Sequence, residues 1–182
     1  MMTIDEYMTG KHRIGLIEDK RLKFRIKSLA NRNNFYKHHI KNIIDGKEWG
    51  SLDGTIARKI LVAKIPRGKD YKVVGFLIYS LRWDDISLDY WLVDEKCRSQ
   101  GIGQQLWNKM VAIGESMSIV NINVWFKNEQ RLIDTYTRMG FKYIPKYKGK
   151  EQQELSENNH LNWWLIRCEG YTLYDKVVRF LD

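Results

Sequence analysis

The stretch "LDYWLVDEKCRSQGIGQQL" (residues 88–106) decides the fold. It opens on aromatic and aliphatic residues that read as a strand ending at Val93, and a helical pattern begins near Gly103. Leu106, Met110, Ile113 and Met117 then recur at spacings of four, three and four, which predicts an amphipathic helix. Between strand and helix stand Arg98, a Ser–Gln pair and the glycines Gly101 and Gly103. A helix N-terminus leaves several backbone N–H groups unpaired and carries a partial positive charge. Glycines there let the backbone come close to a ligand, and Arg98 adds a cation beside the same opening. Such a corner suits a diphosphate; a glycine-rich tight turn has the same composition. No Walker loop is present, and the dinucleotide fingerprint would need Gly or Ala where Leu106 stands.

Working outward, "RKILVAKI" (58–65), "KVVGFLIYSL" (72–81) and "ISLDYWLV" (86–93) are β-branched and aromatic runs joined by "PRGKD" and "RWDD". Connections this short predict neighbouring antiparallel strands. "IVNINVWF" (119–126) reads as a further strand, and "NEQRLIDTYTRMGF" (128–141) as a helix. Leu132, Ile133, Tyr136 and Met139 lie on one side of that helix, with Gly140 as its stop. "FKYIP" and "LNWWLIRC" (161–168) close the sheet, and the ending "YTLYDKVVRFLD" is taken as a helix. Residues 20–47 read as two short helices broken near "NRNN". Their apolar positions are Leu22, Ile26 and Leu29, then Phe35, His39, Ile40 and Ile43; Asn34 is the expected cap of the second helix and Gly46 its end. There is no repeat and no linker, so the expectation is one α+β domain over 1–182.

The bulk numbers fit a globular chain: 182 residues, 43% hydrophobic, 13% aromatic and two prolines. A net charge of +9 is concentrated between Lys11 and Glu48, where eleven Lys or Arg stand against four acids. That segment fits a nucleic acid, an acidic protein or an anionic cofactor, and equally a solvated helix face. No run approaches the ~18 apolar residues of a membrane span, and "MMTIDEYMTGKHRIGL" lacks a signal-peptide core, so a cytoplasmic protein without membrane contact is expected. Cys97 and Cys168 suggest neither a disulfide framework nor a nucleophile, and four dispersed histidines argue against a metal site.

Over residues 59–168 the sequence resembles the GNAT superfamily of acyl-CoA-dependent N-acetyltransferases. Arg98, Gly101 and Gly103 are similar to that family's [RQ]-x-x-G-x-[GA] segment, and "YTRMGF" from Tyr136 to its Y-x-x-x-G-F helix end. The resemblance implies a three-layer α/β arrangement: a mixed, mostly antiparallel sheet with splayed central strands, flanked by helices. It implies that acetyl-CoA is the acyl donor. Arg98 and the backbone of Gln100, Gly101, Ile102, Gly103 and Gln104 would hold its pyrophosphate. Leu92 and Val93 would hold the pantetheine arm, with Asn128 a further donor contact. Asn128 stands eight positions before Tyr136, where the family commonly has seven.

By the same resemblance an acceptor amine attacks the thioester directly. The main-chain N–H near Val93 meets the oxyanion and Tyr136 protonates the leaving thiolate. Asp89 is the preferred base: it lies four residues before Val93, on the same sheet face by period two. His38 and His39 are second choices. Residues 20–47 would shape the acceptor side and residues 58–168 the acyl-CoA core. The acceptor is expected to be an amine of a protein or small molecule. The alternative is nucleic acid, a charged tRNA or a DNA base, suggested by the basic helices with Phe35 and Tyr36. The expected assembly is a monomer or homodimer without metal.

Overall fold

Strands form where the β-branched runs fall. The computed structural model describes residues 1–9, 19–45, 55–82, 85–119, 121–127, 129–143 and 160–166. Seven strands make one sheet: β1 (Thr3–Thr9), β2 (Thr55–Arg67), β3 (Asp70–Arg82), β4 (Asp85–Val93), β5 (Asn121–Lys127), β6 (Lys142–Tyr143) and β7 (His160–Ile166). Their order is β1-β2-β3-β4-β5-β7-β6. Among the described residues, only β4 and β5 pair in parallel. The helices are α1 (Lys20–Arg32), α2 (Lys37–Ile44), α3 (Ile102–Ser116) and α4 (Gln130–Arg138).

Helical periodicity decides which face each helix covers. Leu22, Ile26 and Leu29 of α1 and Ile40 and Ile43 of α2 pack against Ile60, Phe76, Ile78 and Leu92. On the opposite face, Leu106 and Met110 of α3 and Tyr136 of α4 pack against Leu61, Leu77, Leu88 and Phe126. The result is the expected three layers with a mixed, mostly antiparallel sheet. Among the described residues no helix is long and apolar enough to cross a membrane.

Four local features differ from the sequence reading. Strand β1 was not expected, because Asp5 and Glu6 interrupt its apolar alternation; both acids are bonded across to β2, Asp5 to Lys64 at 2.6 Å and Glu6 to Lys59 at 2.5 Å. Strand β2 runs on through Pro66, tolerable because β1 stops pairing at Lys64 and asks for no N–H there. Helix α2 is capped at Tyr36, not Asn34, after both take left-handed backbone with φ of 36° and 47°. His39 is exposed, not core. Gly46 and the ending 171–182 lie outside the described residues.

The central strands separate. β4 and β5 pair only from Asp85↔Asn121 to Leu88↔Val124, yet β4 continues to Val93 and β5 to Lys127. On its other side β4 slips register against β3, from Tyr79↔Leu88 to Ile78↔Tyr90, which leaves Asp89 as an extra residue. This is a β-bulge, and it resets which face each following side chain takes. Leu88 packs on the α3/α4 face and Tyr90 on the α1/α2 face, two residues apart in sequence. Asp89 therefore faces α1 and α2, bonded to Ser80 and Arg58, while Val93 packs on the α3 face. The expectation that Asp89 and Val93 share a face is corrected by this one inserted residue.

Helix α3 lies close on β4 because Gly114 has no side chain. A Cβ there would meet Ile86 Cδ1 at 2.7 Å and the Ile119 carbonyl at 3.2 Å. Gly114→Val should lower the unfolding free energy by roughly 1–3 kcal/mol, the usual cost of overpacking. Urea denaturation of the purified variant checks this; wild-type stability would mean that α3 does not sit against β4 as described.

Candidate active site

The loop after β4 is built to expose backbone donors. Asp94 caps a short 3-10 turn, Glu95–Cys97, and the chain then takes left-handed backbone at Ser99 (φ 61°) and Gly101 (φ 75°). Gly101 is the N-cap of α3, and the first bond of the helix is Gln105 N–H to its carbonyl at 3.0 Å. The N–H groups of Ile102, Gly103 and Gln104 precede that bond and have no acceptor within the helix. No acid stands in the first turn to compete for them. Arg98 is half-exposed beside this opening and donates from Nε to the Val93 carbonyl at 3.3 Å.

The two glycines do different jobs. A Cβ on Gly101 would meet nothing nearer than Gln105 Nε2 at 4.0 Å, an ordinary contact, so glycine serves the positive φ. At Gly103 a Cβ would meet the Trp91 ring at 3.3 Å and Val93 Cγ2 at 3.6 Å, so glycine there seats the helix on β4. Gly75 of β3 completes the seat: a Cβ would crowd Leu106 Cδ1 at 3.2 Å and the Leu92 carbonyl at 3.1 Å. Sequence reasoning passed over Gly75, although a lone glycine inside "KVVGFLIYSL" is itself a sign of close approach.

Beyond Leu88 the edge of β4 opens into the gap left by β5. Asp94 N–H donates to the Val74 carbonyl at 2.8 Å, toward β3. Strand alternation then turns the main chain of Leu92 toward β3 as well, and that of Trp91 and Val93 into the gap. Of the two strand-end residues singled out in the sequence, Val93 turns its N–H toward the gap and Leu92 turns toward β3.

The two candidate proton-transfer groups lie on opposite faces of the sheet. Tyr136 is on the α3/α4 side, its ring 4.6 Å from that of Phe126 and 5.4 Å from that of Phe141. Burial pushes its hydroxyl pKa up to about 12. Trp91, Trp107 and Phe141 carry the aromatic contact on from Tyr136 to Gly103, with ring separations of 6.0 Å and 5.8 Å. Asp89 is on the α1/α2 side, 11% exposed, accepting from Ser80 Oγ at 2.6 Å and Arg58 Nε at 3.1 Å. Burial raises its carboxyl above the ordinary range, and Arg58 with the Ser80 and Ser87 hydroxyls pulls it only partly back.

An aromatic wall adjoins Asp89: Tyr90 lies 5.6 Å from Tyr36 and 6.3 Å from Phe35, ring to ring. The exposed His39 lies 6.4 Å from Tyr36, with His38 beyond it. Asn128 lies outside the described residues. Cys97 is a buried free thiol, and among the described residues no cluster of His, Cys, Asp and Glu is placed to hold a metal.

Comparison with known proteins agrees with this geometry. Residues 26–141 match the model of the acetyltransferase (GNAT) family. No curated protein matches the chain in sequence. Among solved structures, Ard1 from Thermoplasma volcanium is 18% identical with a TM-score of 0.60, covering 92% of this chain and 99% of its own. The ribosomal-protein-S18-alanine N-acetyltransferase of Escherichia coli is 16% identical with a TM-score of 0.58, covering 96% and 99%. Tetrahymena GCN5 is 14% identical with a TM-score of 0.59, covering 93% and 98%. With the family model spanning most of the chain, this protein belongs to the GNAT family and is an acetyltransferase that takes its acetyl group from acetyl-CoA.

Proposed function

We propose that this chain acts as one catalytic domain that acetylates an amine of a protein or small molecule, and that the acceptor enters from the α1/α2 side. The observation carrying this reading is the gap between β4 and β5, with a donor cradle at one end and acid–base candidates on its two faces. Arg98 and the N–H groups from Gln100 to Gln104 hold the pyrophosphate. Trp91 and Val93 offer main-chain bonds to the pantetheine arm, and the Val93 N–H stabilises the tetrahedral oxyanion. Asn128 remains a candidate donor contact.

Asp89 takes the ammonium proton, directly or through water, on the face where Tyr36 and Tyr90 shape the acceptor's approach. Tyr136 gives a proton to the departing thiolate from the opposite face. The amine and the thiolate are separate substituents of the tetrahedral intermediate, so its two proton transfers need groups at different positions; Asp89 and Tyr136, on the two faces of the sheet, support this division of roles. His38 and His39, exposed on α2, serve as acceptor contacts and not as the base.

Three measurements test these roles. Tyr136→Phe should lower kcat on the order of 10²-fold while leaving acetyl-CoA affinity by calorimetry unchanged; undiminished turnover removes Tyr136 from the chemistry. With its pKa near 12, Tyr136 keeps its proton and should contribute no falling limb to the pH–rate profile below about pH 11. Asp89 acts as a base only when ionised, so activity should fall as pH drops through its raised pKa, above the ordinary carboxylate range. Asp89→Asn should flatten that acidic limb, and a limb of wild-type shape points to another base. Gly101→Ala should cost about 1 kcal/mol by denaturation and weaken acetyl-CoA binding, with Gly101→Asn milder because Asn tolerates left-handed backbone.

A further inference from the structure

Helix α1 carries six cations and no acid in its 13 residues, and amid them Phe24 is 71% exposed. The helix already buries Leu22, Ile26 and Leu29 on its inner side, so the Phe24 ring adds nothing to the core. Lys20 and Arg21 lie one turn before it and Arg25 beside it, around a shallow recess. On its other flank a cavity of about 180 Å3 opens between α1 and the β2–β3 hairpin. Arg25 and Arg32 wall that cavity from α1, and Arg67 and Lys72 from the hairpin. The acids nearby are already engaged: Asp70 pairs with Arg25, and Asp94 with Arg32 and Lys72 at 3.3 Å and 3.1 Å. Lys20, Arg21, Arg67 and Lys69 leave a positive excess on both sides of one solvent-facing ring.

We propose that this face binds single-stranded RNA, separately from the acetyl-transfer site. The strand's phosphates lie along Lys20, Arg21 and the Arg67–Lys72 hairpin, and one unstacked base rests on Phe24. Cations alone fit any polyanion, and an exposed ring alone fits many apolar partners. Both together, at one-turn spacing, fit a chain that alternates charge with flat unpaired bases. RNA offers such bases in loops and ends, whereas a duplex keeps them stacked.

The test is fluorescence anisotropy of a labelled 12-nucleotide RNA of mixed sequence with the full chain, over a salt series. Binding should weaken with salt at roughly −0.7 in log–log slope for each phosphate held, about −3 for four. Phe24→Ala should weaken it about tenfold at unchanged slope. R21E combined with R67E should weaken it and flatten the slope. Both variants should keep wild-type circular dichroism and acetyl-CoA affinity, since none of these residues lies at the β4–α3 turn proposed to hold the donor. The proposal is overturned if the wild type does not bind RNA at 50 mM salt or if Phe24→Ala binds as the wild type does. It is also overturned if an RNA duplex binds as tightly, or if saturating acetyl-CoA displaces the strand, which would place it in the donor cradle.

Discussion

Everything in the site depends on where two strands stop pairing. β4 and β5 share four residues of parallel ladder and then part, and the bulge at Asp89 falls at the first position past the last pair. A fully paired sheet has no polar backbone to offer a ligand, since its N–H and C=O groups satisfy one another. By releasing β4 from β5 while holding it to β3, the fold turns backbone groups of β4 toward the gap on a strand that stays anchored. The bulge adds a second effect, because an inserted residue moves Asp89 to the face away from the donor cradle. The parting of the strands leaves the gap, and the bulge puts Asp89 on the side of the sheet opposite Tyr136.

The end of β4 is held as firmly as its middle is freed. Asp94, the first residue past the strand, is buried and bonded to Lys72 of β3 and Arg32 of α1, and caps the turn that follows. Burial works against its charge, yet Lys72, the Lys96 N–H and Arg32 together hold its carboxyl below the usual range. A buried carboxylate with two cations and a backbone donor fixes the start of the loop. Gly75 and Gly103 then let α3 lie flat on the strand, so the helix N-terminus keeps its position relative to the gap.

Most of the fold was legible because each element obeys its own periodicity. The β-branched runs gave β2 to β5 and β7, and the four-three-four spacing gave α3. What escaped had opposing signals. In β1 the pair Asp5–Glu6 looks like loop composition, and only the lysines of β2 make it a strand. The bulge left no trace, since "SLDYW" contains neither glycine nor proline and reads as uninterrupted strand. An argument from period two therefore placed Asp89 on the wrong face while choosing a residue that the structure brings to the gap. The turn from β4 into α3 was legible in outline through Arg98, Gly101 and Gly103. That Gly103 faces Trp91 and only Gly101 needs its left-handed backbone is a matter of packing, and requires coordinates.

Trp91 lies against Gly103 in the first turn of α3 and stacks on Trp107, with ring planes 23° apart. Indole emission responds to polarity and to nearby charge. Two of the seven tryptophans would therefore serve as an optical gauge for a diphosphate bound where we propose, since its charge would alter the field that they sense. With the donor held as proposed, its occupancy would be read from the protein's own fluorescence, with no added label.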